Sequence, residues 1–194
     1  MKKKITILLI ILFNIKVYTQ TYSNIVSDSL INKLLILDID NRPKIYDDQR
    51  IWKKRINDKP IPWSEAMILI ISPETSDFNF QKKALIRKDK RQSNKLKKLT
   101  EIFSKTDFDF MEKQFNSERK NKWNFKTKKG RLKRNPKRKF YSYTVPLFNE
   151  NLTKAILYSE FGGGCKYCDE ARVLIYIKKR ETWKLYKTIS LWRS

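Results

Sequence analysis

The sequence predicts an α+β fold in which N-terminal helices pack on a C-terminal antiparallel β-meander of about four strands. Apolar residues recur at helical spacing in the first part of the chain, whereas they alternate with a period of two after residue 140. The chain has 194 residues, of which 40% are hydrophobic. This length and composition are typical of one folded domain with its own core.

The N-terminal residues predict a secretory signal peptide. Residues 2–4 are lysines, and residues 5–15 form an apolar run that Asn14 interrupts near its end. A basic start and a short apolar run followed by small residues are typical of an exported precursor, whereas a membrane-spanning helix needs about 20 apolar residues. A buried or membrane-anchoring helix is the alternative. Cleavage after Thr19 would leave residues 20–194 as a periplasmic or secreted domain.

Three regions of the mature domain differ in pattern. Residues 20–118 are expected to be mainly helical, residues 119–139 form a basic connector, and residues 140–194 form the meander. The first helix is predicted over residues 24–37, where apolar residues recur near the 3.6-residue period. Pro43 follows shortly after it, and proline is a common stop signal for a helix.

A second helix is predicted to begin at Thr106, whose side chain can cap it. Acidic residues in its first turn favour this start, because the helix dipole is positive there. Phe108, Met111 and Phe115 share one face and are expected to pack in the core. Residues 66–71 are also apolar, but this run is too short for its pattern to distinguish a helix from a buried strand.

The meander is predicted from four runs in which apolar and polar residues alternate: residues 140–148, 154–161, 172–178 and 183–192. Short connectors between the runs indicate hairpins. One face of this sheet is expected to pack on the helices.

The charge of the chain is strongly positive. Lys and Arg total 44 against 20 Asp and Glu, which gives a formal net charge of +24. Residues 119–139, the basic segment, contain no acidic residue, and Trp123 and Phe125 lie within them. Basic groups neutralise phosphates or acidic sugars, and aromatic rings stack on bases. The segment is therefore a candidate polyanion-binding site, and a solvated connector is the alternative interpretation. The candidate residues are Arg119, Lys120, Lys122, Trp123, Lys126, Lys128, Lys129, Arg131, Lys133, Arg134, Lys137, Arg138 and Lys139.

One motif lies between the second and third predicted strands, and we call it the cysteine loop. Its candidate residues are Gly162, Gly163, Gly164, Cys165, Tyr167 and Cys168. In an exported protein, two thiols at this spacing favour a disulfide that rigidifies the loop. A thiol–disulfide redox site and a pair of free thiols are the alternatives. A structural zinc site is disfavoured, because the chain has two cysteines and no histidine.

The composition also excludes several classes of enzyme. Without histidine, the chain has no imidazole base, no histidine metal ligand and none of the common catalytic triads. It contains no nucleotide-binding glycine motif and no nucleophile-elbow motif. The acidic pairs Asp38/Asp40 and Asp47/Asp48 are interpreted as solvated loop residues. The sequence thus predicts no catalytic residue, metal or cofactor, and favours an exported binding module. A polyanion binder and a redox protein are the alternatives.

Several short motifs occur together over about the last 90 residues. They are the helix at residues 108–114, Tyr141-Ser142-Tyr143, Pro146-Leu147-Phe148, residues 154–158, the cysteine loop, residues 173–177, Trp183-Lys184-Leu185 and Leu191-Trp192-Arg193-Ser194. In combination they resemble a family of small secreted bacterial proteins of unknown function, which end in Leu-Trp-x-Ser. The family usually spaces its two cysteines one residue wider. The resemblance implies a C-terminal meander and export, and it implies no activity.

Overall fold

The computed structural model describes residues 21–41, 55–57, 59–63, 99, 101–118, 120, 122–127, 132–133, 140–162 and 170–193. The predictions for residues 1–19, 66–71, Asp47, Asp48 and the cysteine pair lie outside these residues. Within the described ranges the chain forms two helices, α1 (Asp28–Asn41) and α2 (Lys105–Asn116), and one seven-stranded sheet.

The strands of the sheet are β1 (Arg55–Asn57), β2 (Leu132–Lys133), β3 (Phe140–Tyr143), β4 (Leu147–Phe148), β5 (Lys154–Gly162), β6 (Glu170–Lys179) and β7 (Thr182–Arg193). Their order is β2-β1-β3-β5-β6-β7, and β4 pairs with β5. The strands β5, β6 and β7 form an antiparallel meander, and β3 is antiparallel to β5. The predicted α+β fold with helices before a meander is therefore confirmed.

The sheet is covered on both faces, so the expectation of one packed face is wrong. Along β5, Ala155 and Leu157 belong to one buried cluster, whereas Ile156 and Tyr158 belong to the other. The helix α1 packs into the first cluster, the α1-side core, and α2 packs into the second, the α2-side core. Two covered faces explain why β5 and β6 contain continuous apolar runs, so the alternation of apolar and polar residues predicted for these two strands is wrong.

The helix α1 begins later than predicted. The side-chain oxygen of Ser23 accepts hydrogen bonds from the backbone N–H groups of Ile25 (3.1 Å) and Val26 (3.3 Å). Such local bonds hold a turn that competes with helix formation. The helix then runs from Asp28 to Asn41. Its end at Asn41 lies beyond the predicted end at residue 37, directly before an Arg-Pro pair, where the proline disfavours helical backbone in the residue that precedes it.

The helix α2 is capped by Ser104 and not by Thr106. The Ser104 hydroxyl accepts from the Asp107 N–H (3.2 Å), and the Asp107 carboxylate accepts from the Ser104 N–H (3.0 Å). This reciprocal capping box satisfies two backbone donors that the first turn leaves unpaired. The predicted apolar stripe packs into the α2-side core and consists of Phe108, Met111 and Phe115.

The strand predicted over residues 140–148 is in fact two strands, β3 and β4. Tyr143 pairs with Ser159, whereas Leu147 pairs with Ile156. Four steps along β3–β4 therefore match three along β5, so the segment between the two pairs holds one extra residue. That segment includes a proline, which has no N–H to donate to a sheet ladder.

Two short strands were not predicted. The strand β1 lies in the region expected to be mainly helical, and it is parallel to both of its neighbours, β2 and β3. The strand β2 comes from the basic segment and contains Lys133. Just after β1, the Ile61 N–H donates to the Tyr143 carbonyl at 2.6 Å, which extends the contact with β3. Runs of two or three residues are too short for hydrophobic periodicity to reveal.

Candidate functional site

A groove of about 490 Å³ lies between the C-terminal half of α1 and the strands β6 and β7. Clefts of this size and mixed lining are typical of ligand sites. The α1–β7 groove is lined by Leu37, Asp38 and Asn41 of α1, Arg172, Leu174 and Tyr176 of β6, and Trp183, Lys184, Leu185 and Thr188 of β7.

The Asp38 carboxylate is fixed by two phenols. Its Oδ2 accepts a hydrogen bond from the Tyr143 hydroxyl at 2.9 Å, and its Oδ1 accepts a short bond from the Tyr176 hydroxyl. Asp38 is only 7% exposed, and both tyrosines are buried. The three side chains thus join α1 to β3 and β6, which lie on either side of β5. The carboxylate is held in one position at the groove.

This result corrects the interpretation of Asp38 as a solvated loop residue. The sequence carries a signal for its burial, since Asp38 follows Leu34 by four residues and Leu35 by three. Residues at these spacings share one face of a helix. Both leucines are fully buried, and so is Ile31 at the same face. The signal was missed because the predicted helix ended at residue 37.

A β-bulge builds the β7 wall of the groove. Leu185 pairs with Tyr176 and Thr188 pairs with Leu174, so Tyr186 is an extra residue on β7. Side chains alternate between faces along a strand, and an extra residue shifts that alternation by one. Leu185 and Thr188, three positions apart, therefore lie on the same face. Leu185 remains 51% exposed there, which is a large fraction for an apolar side chain.

Trp183 lies beside Leu185 at the bottom of the groove and is only 4% exposed. Its ring packs edge-on against Phe148, with the ring centroids 5.6 Å apart. Its indole N–H has no hydrogen-bond acceptor among the described residues. A buried donor without an acceptor carries a cost of about 1–3 kcal/mol. The groove lining therefore combines the buried aromatic ring of Trp183 with the exposed aliphatic side chain of Leu185.

Arg172 is the charged residue that β6 contributes to the groove lining. Arg172 forms an ion pair with Glu170, in which its Nη2 lies 2.5 Å from the Glu170 Oε2. Glu170 is the first residue of β6 and follows the cysteine loop closely in the chain. On α1, the carboxylate oxygens of Asp40 are buried and have no hydrogen-bond partner among the residues that the structure describes. This carboxylate also sits in the last turn of a helix, where the dipole disfavours negative charge.

The structure describes one residue of the predicted cysteine loop. Gly162 ends β5 and pairs with Phe140 of β3. The remaining candidate residues lie outside the described residues and are Gly163, Gly164, Cys165, Tyr167 and Cys168. The predicted disulfide, with its redox and free-thiol alternatives, therefore stays a prediction.

The structure describes five of the thirteen predicted polyanion-binding residues. Lys133 lies in β2, and Lys122 and Lys126 are exposed. Lys120 and Trp123 contact residues near the start of the domain. The other candidates lie outside the described residues and are Arg119, Lys128, Lys129, Arg131, Arg134, Lys137, Arg138 and Lys139.

Lys120 and Trp123 pack against the start of the domain. The Lys120 Nζ lies 2.8 Å from the Asp28 Oδ2 and 4.6 Å from the centre of the Tyr22 ring. The Trp123 ring lies 5.3 Å from the Tyr22 ring, and Trp123 is 8% exposed. A base or sugar has no open face of Trp123 on which to stack. The suggested stacking role of Trp123 is therefore corrected to a role in the core.

Tyr22 is the centre of this cluster. Its hydroxyl donates to the Asn124 Oδ1 and accepts from the Asn124 N–H, both at 2.5 Å. Burial raises the pKa of Tyr22 far above its usual value, and the negative charge of Asp28 raises it further. The phenol therefore stays neutral and acts as a structural hydrogen-bonding group that ties residues 21–28 to the basic segment.

Comparison with protein-family models, with curated proteins and with solved structures gives no match for this chain. The resemblance to small secreted bacterial proteins therefore stays a prediction. Neither described helix is long and apolar enough to cross a membrane.

Proposed function

We propose that this chain is an exported, non-enzymatic binding module of the cell envelope or periplasm, and that the α1–β7 groove is its binding surface. One observation carries the proposal: the groove exposes half of Leu185 beside buried Trp183 and the fixed Asp38 carboxylate. An apolar surface with a few positioned polar groups is the usual chemistry of a binding site. The basic and apolar N-terminal residues support export.

In-cell photo-crosslinking tests this proposal. A benzophenone amino acid replaces Leu185 in the groove or, as the matched control, Glu112, an exposed residue of α2 on the other face of the sheet. We expect discrete covalent adducts from position 185 and none from position 112. Adducts from position 112 alone, or from neither position in protein recovered from the envelope fraction, would overturn the proposal.

Polyanion binding by the basic segment is a second candidate function. It is favoured by the exposure of Lys122 and Lys126 in a segment with no acidic residue. Binding to heparin or DNA should fall steeply with salt, because phosphate or sulfate contacts release counterions. Reversing the charge of Lys128, Lys129 and Arg131 should abolish it. Binding that survives high salt would exclude this function.

A further inference from the structure

The strand β7 forms a long edge of the sheet. Among the described strands, it pairs with β6 on one side and with no strand on the other. It spans twelve residues, whereas β2 at the opposite edge spans two. An edge strand presents backbone N–H and C=O groups that can pair with another extended chain. The edge of β7 borders the α1–β7 groove, because residues of β7 form one wall of that groove.

Two bulges limit what can pair with this edge. Tyr186 is the extra residue of the first bulge, and Leu191 is the extra residue of the second, since Ala171 pairs with Trp192 and Arg172 with Ser190. Bulges break the regular spacing of an edge and oppose long, open-ended strand stacking. A short extended segment can pair on the regular stretch at residues 182–185, next to the groove.

The two faces of β7 differ in chemistry at this edge. Leu185 lies on the groove face and is 51% exposed. Lys187 pairs with Ile175 and Lys184 with Ile177, which places both side chains on the opposite face of the sheet, although Lys184 also borders the groove. A strand added beside β7 would therefore meet an apolar surface on one face and positive charge on the other. Side chains directly opposite each other across two strands interact most strongly.

The charge of β7 discriminates between the two simplest partners for its edge, a second copy of β7 and an acidic segment of another chain. Residues 182–193 contain two lysines and one arginine and no acidic residue. A second copy of β7 would place these charges next to each other, which is unfavourable. An acidic segment would place opposite charges next to each other, and the net charge of +24 would also attract it.

We infer that the α1–β7 groove and the edge of β7 together bind a short extended segment of a partner polypeptide in which acidic and apolar side chains alternate. The segment adds a strand beside residues 182–185. Its apolar side chains pack on Leu185 at the groove, and its carboxylates lie beside Lys184. This inference rests on the proposed function and names the chemical class of the partner.

Synthetic peptides test the inference with the full mature chain. The probe is a fluorescent hexapeptide of alternating Glu and Leu, and its binding is followed by anisotropy. A first control peptide carries N-methyl groups at alternate residues, which keeps the side chains but removes N–H donors. A second control peptide has Lys in place of Glu. We expect the probe to bind and each control peptide to bind about tenfold more weakly or worse.

Protein variants localise the binding. Leu185→Asp and Lys184→Glu should each weaken the binding of the probe about tenfold, whereas Lys113→Glu should change it less than about twofold. Lys113 is an exposed residue of α2, so this control changes the net charge equally. Circular dichroism checks that the variants fold, which the exposure of these side chains favours.

Several outcomes would overturn the inference. Equal binding of the N-methylated peptide would show that no strand is added, and equal weakening by Lys113→Glu would show unspecific attraction. Self-association abolished by Leu185→Asp would identify a second copy as the occupant. If position 185 crosslinks in cells but the peptides do not bind, the proposed function stands and this partner class fails. If position 185 does not crosslink and the peptides do not bind, both the proposed function and this partner class fail.

Discussion

The Tyr143 hydroxyl donates a hydrogen bond of 2.9 Å to the Asp38 carboxylate, although 105 positions separate the two residues in the chain. Tyr176 donates to the other oxygen of the same carboxylate. A buried carboxylate is stabilised when charge-assisted hydrogen bonds replace those it loses to water. This contact joins the end of α1 to two strands that are not neighbours, and so it fixes one end of the groove.

Replacing Asp38 should therefore destabilise the fold strongly. In Asp38→Ala both phenols lose their acceptor, and we expect the free energy of unfolding to fall by about 2–5 kcal/mol. Tyr143→Phe removes one donor and should cost about 1–2 kcal/mol. Urea unfolding followed by circular dichroism measures both. The matched control is Asp109→Ala on the exposed face of α2, expected within about 0.5 kcal/mol of wild type. Equal values for Asp38→Ala and Asp109→Ala would contradict the structural role of Asp38.

The longer elements were predictable from the sequence, the helices from their 3.6-residue period and the strands from apolar runs bounded by turns. Both described helices and the strands β5, β6 and β7 lie close to their predicted positions. The α2 stripe of Phe108, Met111 and Phe115 follows from spacing alone, because such residues must share one face. The exact first residues of the two helices were less predictable. Ser23 and Ser104 compete with other polar side chains near each start for the same backbone N–H groups.

The groove was not predictable, because its parts come from distant places in the chain. The placement of Leu185 and Thr188 on one face depends on the bulge at Tyr186, and strict alternation would separate them. The composition of the basic segment did suggest exposure. It could not show that Trp123 packs on Tyr22, because an aromatic residue among lysines gives the same sequence pattern whether it is buried or exposed. Tertiary contacts determine both that Leu185 and Thr188 share one face and that Trp123 is buried.

Trp123 should behave as a core residue. Trp123→Ala removes the ring contacts to Tyr22 and Phe125, and we expect the free energy of unfolding to fall by about 3–5 kcal/mol. Lys122→Glu, one position earlier and exposed, should change it by less than about 0.5 kcal/mol. Thermal and urea unfolding give both values. A Trp123→Ala protein as stable as Lys122→Glu would show that the ring is not part of the core.

Asp40 should be a destabilising residue in the wild-type protein. Its buried carboxylate lies at the C-terminal end of α1 and has no hydrogen-bond partner within the described part of the chain. Asp40→Asn removes the charge that opposes the helix dipole, so we expect a gain of about 0.5–1 kcal/mol at low ionic strength. The gain should shrink as salt is added. Asp109→Asn, made in an exposed position of α2, should show no such gain. A loss of stability in Asp40→Asn would mean that the carboxylate makes a favourable contact.

Glu118 should make the stability fall as the pH rises. Burial raises the pKa of Glu118 from 4.5 to about 7 in the folded chain. Between these values the folded state binds more protons than the unfolded state, so raising the pH through this window reduces stability, and the full cost applies above about pH 7. Glu118→Gln removes that cost. We expect it to match wild type near pH 4 and to exceed it by about 1–3 kcal/mol at pH 8.

The matched control for Glu118 is Glu112→Gln, an exposed glutamate on α2. Its difference from wild type should be small and the same at both pH values. Unfolding in urea at pH 4 and pH 8 gives the comparison. A Glu118→Gln gain that is equal at the two pH values would contradict the protonation argument and assign the effect to packing.

Export and the state of the cysteine pair can be tested in one measurement, the intact mass of the protein taken from its own cells. We expect a chain that lacks residues 1–19, because the basic start and the apolar run are typical of a cleaved signal. Alkylation before reduction should add no mass, since an oxidising compartment keeps Cys165 and Cys168 bonded. Cys165→Ser leaves one thiol and should gain one alkyl group, which shows that the reagent reaches the loop. A full-length chain with two alkylated cysteines would contradict export, and cytosolic nucleic acid would then become the polyanion to test against the basic segment.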